Sequence, residues 1–260
     1  MNEHQDGPTE RRTVNAVQFS CDILDALKRL NGAGVTEIAN HLDASKGAVH
    51  THLATLEANE FVVKRDDEYR LSLRFLDLGK YVRDEIKIYD VVEEEIERLA
   101  DVSGEVAQFM VEQHGRGVYL YKAEGENAVQ TASYVGGRNP MHCTALGKAI
   151  LAHLPGERVR EIIDRHGLAA KTSNTITERE ELLAELEEIQ ERGLAYDREE
   201  IFKGLQCVAA PVLDRSGDVI GAVSVTGPTS RMQGDRLEEE VAEMVQHTSN
   251  VIEVNAAQVQ

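Results

Sequence analysis

Asp197, Cys207, Ser224, Thr226 and the run His142-Cys143-Thr144-Ala145-Leu146 hold the side chains whose types and spacing could do chemistry. A thiol nucleophile at Cys143 or Cys207, with His142 as base and Asp197 orienting it, would make an enzyme. Against it, His142 and Cys143 are adjacent at a helix start and need not face each other, and no Ser or Cys stands in a nucleophile elbow. A metal sensor built from His142, Cys143, Asp197 and Cys207 has suitable ligand types, but their spacing matches no ligand motif. Non-covalent capture of a small polar molecule is the third chemistry. Thr144, Ala145 and Leu146 open a helix, where free backbone N–H groups and the helix dipole favour a carboxylate or another anion. Ser224 and Thr226 lie two apart on one strand, so both hydroxyls face the same side. Cys207 is on the neighbouring strand and Asp197 at the end of a third. Singly, each has a plain structural explanation: strand hydroxyls are satisfied by backbone, an Asp at a strand end by solvent, and a Cys in an apolar run is an inert buried thiol.

The elements that must position these residues begin at Glu105, where the apolar period changes to two. Residues 106–113 and 118–122 predict a hairpin around His114-Gly115-Arg116-Gly117, and 129–134 a third strand. Helices are expected from Pro140-Met141 to about His153, over 157–166, and from a Thr177-Glu178-Arg179-Glu180 capping box to Arg192, with Gly193 as C-cap. Residues 194–197, 205–213 and 219–226 are strands, the last two joined around Asp214-Arg215-Ser216-Gly217. A terminal helix over 234–255 turns Leu237, Val241, Met244 and Val251 inward. Strands, then helices, then hairpin-joined strands give an antiparallel sheet flanked by helices, an α+β sensor-type domain.

Ahead of it, residues 35–61, VTEIANHLDASKGAVHTHLATLEANEF, read as two short helices joined by a tight turn. Thr36 can cap the first, whose inner stripe is Val35, Ile38, Ala39 and Leu42. Asp43-Ala44 turns the chain. Ser45 caps the second, where Val49, Leu53 and Leu56 point together into a core and leave Gly47, Thr51 and Ala54 facing away with His50 on the flank. Residues 44–56 contain no acid in a chain that is otherwise heavily acidic. Such an edge suits a helix lying in a DNA major groove, with Ser45, Lys46, Gly47, His50 and Thr51 near base edges or phosphates. A helical hairpin with an uncharged surface is the plain alternative. Residues 61–65 and 69–73 then form a small hairpin around Asp66-Asp67-Glu68, a wing on which Lys64, Arg65 and Arg70 can meet flanking phosphates. Before this module, Val17, Cys21, Leu24 and Leu27, widened by Ile23 and Leu30, make a first helix closed by Asn31-Gly32, with Cys21 as a small core hydrophobe. Residues 1–12, polar and carrying Gly7-Pro8, are expected to form a mobile arm in which Arg11-Arg12 could touch DNA.

SKGAVHTHLATLEANEFV is similar to the recognition helix and wing entry of the IclR family of transcription regulators. The likeness continues through MHCTALGKA, YDREE, GLQCVAAPVLD and GAVSVTGP. It implies a winged helix-turn-helix domain over 13–74, a linker helix over 75–87 and a GAF- or profilin-like effector-binding domain over 88–260. In such proteins the linker region packs against a second subunit, for which Phe75, Leu76, Leu78, Tyr81 and Val82 are suited. The equivalents of Ala145, Leu146, Asp197, Leu205, Cys207, Ser224 and Thr226 line the effector pocket. The resemblance therefore implies a regulator, not an enzyme, working as a homodimer or homotetramer on operator DNA. A small effector, first of all a carboxylate from sugar or aromatic catabolism, would change its DNA affinity with no metal or cofactor. Thr51 stands where the family pattern usually has Arg or another polar residue, and Thr226 where many members have Ser.

The 260 residues allow two domains, each with a real core. The formal net charge of −18 ordinarily argues against a nucleic-acid partner, but its distribution matters more. Residues 1–75 hold nine Lys and Arg against twelve Asp and Glu, and the remainder 19 against 34, so the acid sits away from the proposed DNA-reading face. This excess, with no Trp, also fits a halophilic cell, because at molar salt the Debye length is about 3 Å and surface self-repulsion is screened. No apolar run approaches the roughly 20 residues needed to span a bilayer, and residues 1–12 lack the apolar core of a signal peptide. Cys21, Cys143 and Cys207 are scattered, without CxxC spacing. A reducing cytoplasm is the expected compartment.

Overall fold

The computed structural model describes residues 13–259; the arm expected over 1–12 lies outside the described residues. Two compact units part between Glu85 and Ile86.

In the first unit, α1 (Asn15–Leu30), α2 (Val35–His41) and α3 (Lys46–Ala58) precede a two-stranded antiparallel sheet of β1 (Val62–Arg65) and β2 (Glu68–Leu71), followed by α4 (Arg74–Asp84). α1 ends where Asn31 turns left-handed, at φ 57°. Its buried side is Ile23, Ala26 and Leu27, and Cys21, expected in the core, is exposed. Two overlapping apolar stripes run along this helix; the one bearing the branched Ile23 faces α3, which turns Val17 and Cys21 to solvent. α2 starts from Gly34 with no side-chain cap, so Thr36 sits inside the first turn and does not close it. Asp43, at φ 49°, makes the turn into α3. There Ser45 Oγ accepts the Ala48 N–H at 3.2 Å, and Val49, Leu53 and Leu56 are buried as expected. The wing turn is shorter than expected, because Glu68 already pairs with Arg65 and only Asp66-Asp67 bends the chain. Ala33 exchanges both backbone hydrogen bonds with Tyr69, at 2.9 and 3.1 Å, anchoring the wing to the α1–α2 link. α4 has no buried residue.

The second unit begins with α5 (Tyr89–Ser103), stopped by Gly104 at φ 72°. It continues through β3 (Val106–Gln113), β4 (Arg116–Glu124), β5 (Arg138–Asn139), α6 (Ala145–Leu151), α7 (Gly156–His166) and α8 (Arg179–Arg192). β6 (Ala195–Arg198), β7 (Leu205–Leu213), β8 (Val219–Pro228), a π-helical turn at Arg236–Glu240 and α9 (Val241–Val259) complete it. The strands form one antiparallel sheet in the order β5-β4-β3-β8-β7-β6. α5 and α9 cover one face, where Ile96, Val245 and Ile252 share a core with Phe109, Val208, Val223 and Val225. α6, α7 and α8 cover the other, where Leu146, Ile150 and Leu186 share a core with Met110, Ala209 and Ala222. The fold class is the expected α+β.

Three local expectations fail here. Residues 129–134 form no strand; the edge strand is Arg138–Asn139, paired with Gly117 and Val118. The alternation that suggested a strand arises because Thr131 and Ser133 turn their hydroxyls inward to side-chain partners and not to a ladder. α8 starts at Arg179 from Glu178 without a side-chain cap, so the Thr177 capping box does not form. In the terminal helix Leu237 and Val241 are buried as expected, but from Val241 the inner stripe steps to Val245 and Ile252, which leaves the expected Met244 and Val251 half-buried beside it. Among the described residues, no helix is long and apolar enough to cross a membrane.

Truncating Leu53, fully buried in α3, should cost about 2–5 kcal/mol in urea unfolding of the Leu53→Ala variant. Ala54→Ser, on the exposed side of the same helix, should cost less than about 1 kcal/mol.

Candidate functional site

The outer edge of α3 presents Lys46, Gly47, His50, Thr51 and Ala54, all exposed, with the Ser45 cap at its start. Nothing lies within 4 Å of where a side chain at Gly47 would project. Lys46 has no ion-pair partner among the described residues. Thr51 Oγ1 donates to the Gly47 carbonyl at 3.0 Å, so its hydroxyl proton is engaged and the oxygen is what it offers outward. On the wing, Lys64 lies 3.5 Å from Asp67 and Arg70 3.0 Å from Glu68, both with side chains over 40 % exposed, and Arg65 is exposed too. Pairs this exposed are worth at most about 1 kcal/mol, little enough for a phosphate to displace. His52, which the sequence reading passed over, locks α3 onto α1. Its Nδ1 is 2.8 Å from Ser20 Oγ and its ring meets Phe19 edge-on at 4.9 Å.

In the second unit, strand register does the positioning. Asp197, Cys207 and Thr226 are successive partners across β6, β7 and β8, and Ser224 pairs with Gln108 of β3. Alternation sends these side chains to the α6 side while Val223 and Val225 enter the opposite core. Gly147 lets the chain before α6 pass close over the helix; a side chain there would collide with the Met141 backbone. Thr144 Oγ1 caps α6 by accepting the Gly147 N–H at 3.0 Å. Thr144, Ala145, Leu146, Asp197, Leu205, Cys207, Ser224 and Thr226 thereby line one cavity, with Gln108, Tyr119, Thr131, Ser133, Ile201 and Phe202 completing it.

Burial governs the chemistry of this cavity. It pushes the Asp197 carboxyl up to about 7, although the Glu200 N–H donates to Oδ1 at 2.7 Å. It raises the Glu200 carboxyl too, against the pull of Lys148, whose Nζ donates to Glu200 Oε1 at 2.6 Å. Burial lifts the Cys207 thiol well above its ordinary range and the Cys143 thiol to about 12. It lowers His142, whose Nε2 lies 3.2 Å from the Ala169 carbonyl, whereas the Cys143 thiol is directed at Pro140 O. Two protonated thiols and a neutral histidine with separate partners make no nucleophile pair. Among the described residues, no group of three His, Cys, Asp or Glu side chains could hold a metal ion. Cys207 Sγ and Thr226 Oγ1 are 2.7 Å apart, and Tyr119 Oη accepts from Asn139 Nδ2 at 2.9 Å. The Ser224 hydroxyl is fully buried against the cavity and has no hydrogen-bond partner among the described residues. A buried hydroxyl left unpaired is costly, and it is a natural point for a ligand to bond.

Lys148 and Gln108 were legible but unread. Each is the one polar side chain in an apolar run, ALGKAIL and VAQFMV, and a lone polar group there needs a buried partner. Ile201 and Phe202 are the apolar exceptions in an otherwise polar loop. Thr131 and Ser133 lie in the stretch expected as a third strand, and nothing in the sequence marks their hydroxyls as cavity lining.

A small winged helix-turn-helix unit joined to an α+β unit with a polar cavity on one sheet face is the build of a ligand-responsive DNA-binding regulator. The pattern of the helix-turn-helix domain of IclR matches residues 20–66, and that of the C-terminal domain of bacterial IclR transcriptional regulators matches residues 80–254. The chain belongs to the IclR family. It is 33 % identical over 249 residues to the probable HTH-type transcriptional regulator ArcR of Halobacterium salinarum, covering 94 % of this chain and 95 % of that one. The IclR of Thermotoga maritima superposes with a TM-score of 0.76 at 29 % identity, over 94 % of this chain and 99 % of its own. An IclR homologue from Microbacterium hydrocarbonoxydans, solved with 4-hydroxybenzoate, shares the fold with a TM-score of 0.80 at 21 % identity, over 94 % of this chain and all of that one. The family is one of transcriptional regulators and not of enzymes: the N-terminal domain binds DNA and the C-terminal domain binds a small-molecule effector.

Because the folded Asp197 carboxyl titrates near 7, above the unfolded value of about 3.9, the folded state holds an extra proton between those pH values. Stability should therefore fall as pH rises through that window, and none of this loss should remain in Asp197→Asn. Chemical unfolding at pH 5 and pH 8 checks it: the variant should gain on the order of 2–4 kcal/mol relative to the parent at pH 8.

Proposed function

We propose that α3 enters the major groove of an operator, with Ser45, Lys46, Gly47, His50 and Thr51 at base edges and backbone. Lys64, Arg65 and Arg70 of the wing meet the flanking phosphates. The cavity lined by Thr144, Ala145, Leu146, Asp197, Leu205, Cys207, Ser224 and Thr226 takes the effector, a small polar metabolite with a carboxylate. The observation that carries this reading is the unpartnered Ser224 hydroxyl, buried among polar groups from three neighbouring strands. Sugar and aromatic catabolism are the sources to test first.

An effector can alter DNA affinity only by binding two arrangements of the protein unequally. In this reading the arrangements differ in the spacing of paired reading heads, so the working unit is a homodimer or homotetramer. α4, with Leu76, Tyr81 and Val82 more than half exposed, supplies a surface for self-association. Residues 13–74 read DNA, 75–87 link and 88–260 sense. The regulator works in the cytoplasm, and its acid excess suits a halophilic cell.

Lys46→Ala should weaken binding to a duplex from the chain's own promoter about tenfold or more, and reduce the salt slope by about 1, in fluorescence anisotropy. Ser224→Ala should bind that duplex like the parent and lose the metabolite response. 4-Hydroxybenzoate and intermediates of the pathway encoded beside the gene are the compounds to assay. A Ser224→Ala protein that still responds fully would overturn the cavity assignment.

A further inference from the structure

The cavity offers about 30 Å³, space for a water or two, whereas sites for organic ligands run to about 300 Å³ or more. A wall must therefore yield to admit an effector, and the walls are held very differently. The α6 side is buried throughout its length. The sheet side is laddered strand throughout, β3, β8 and β7 at its centre with Tyr119 of β4 and Asp197 of β6 at its margins. The loop bearing Ile201 and Phe202 is tied down through Glu200. Its carboxylate meets buried Lys148 at 2.6 Å, its carbonyl accepts from Thr175 Oγ1 at 2.6 Å and Thr172 Oγ1 at 3.2 Å, and its N–H donates to Asp197 at 2.7 Å.

Residues 129–133 form the remaining wall and join no ladder. Flanking backbone bonds fall outside them, from Ala128 N to Gly125 O and from Gly136 N to Tyr119 O. Within the stretch, Ser133 is the anchor: its hydroxyl accepts from Gln108 Nε2 at 2.5 Å and meets Thr131 Oγ1 at 2.8 Å, and its carbonyl accepts from Lys122 Nζ at 3.2 Å. The Gln108 amide oxygen accepts from Thr226 Oγ1 at 3.4 Å, and Thr226 meets Cys207. Side-chain bonds thus run from the cavity floor to this wall.

We propose that residues 129–133 are the door of the cavity and that Gln108 is the positioning residue that latches it, through Ser133. This rests on reading the cavity as the effector site, but its test needs neither DNA nor metabolite. Cys207, on the cavity floor, reports access. In the full-length chain, Ser133→Ala should speed alkylation of Cys207 by iodoacetamide, followed by mass spectrometry, about five- to tenfold, the effect of losing one hydrogen bond on a local opening. Gln108→Met should act in the same direction. Thr175→Ala, which loosens the opposite loop, should leave the rate within about twofold of the parent. Hydrogen exchange of the unliganded protein should show residues 129–133 opening about tenfold more readily than 200–204. Acceleration by Thr175→Ala and not by Ser133→Ala, or equal exchange of the two segments, would overturn the proposal. Either result would leave the DNA and effector readings standing.

Discussion

A lysine that is 2 % exposed stays charged only if carboxylates come inside with it, and the second unit is arranged around meeting that demand at Lys148. Glu200 supplies the close contact and Glu185 of α8 a longer one at 3.5 Å. Because Lys148 is the only charged residue of a wholly buried helix, its partners must come to it. They draw the β6–β7 loop and α8 against α6 and place Asp197, three residues before Glu200, at the edge of the cavity. Removing Glu200 would take away the close contact of a buried charge, whereas an exposed pair such as Lys64 with Asp67 can be broken at little cost. Burial that holds the loop also suppresses ionisation nearby, so the cavity presents hydroxyls, one neutral thiol and a carboxyl pushed up to about 7.

The first unit solves a different problem with a much smaller core. Ile23, Leu27, Ile38, Val49, Leu53, Val62 and Tyr69 share one cluster, and the Ala33–Tyr69 bridge ties the wing into it. α3 is thus held from three sides: by its apolar stripe, by His52 against Ser20 and Phe19, and by the Ser45 cap. Its remaining edge carries no acid and is open. A net charge of −18 would oppose DNA if spread evenly, but repulsion between distant surface charges fades over about 10 Å at ordinary salt, so the local absence of acid between residues 44 and 56 counts for more.

Where periodicity and local chemistry agree, the sequence was legible. The α3 stripe, the left-handed stops at Asn31 and Gly193, and the β7–β8 hairpin all formed where expected. Of the cavity, the expected residues gathered from separate segments, but their companions did not announce themselves. Tyr119 reaches the cavity from β4, one strand beyond β3, and Phe202 from a loop whose course depends on Glu200. The failures are local: alternation at 129–134 came from hydroxyls seeking side chains, and in α9 the neighbours Val245 and Ile252 took the core positions expected of Met244 and Val251. Pattern reading registers which side of an element is apolar, not which tertiary partner captures a polar group or which of two adjacent apolar residues packs deepest.

Along β8 the cavity and the scaffold use different residues, Ser224 and Thr226 on one side and Val223 and Val225 on the other. Mutation can therefore retune what the cavity admits while the valine face, and with it the architecture, is inherited intact. A lineage built on such a strand can vary the shape and polarity of its cavity without first acquiring compensating stability elsewhere, because the two duties never compete for one position.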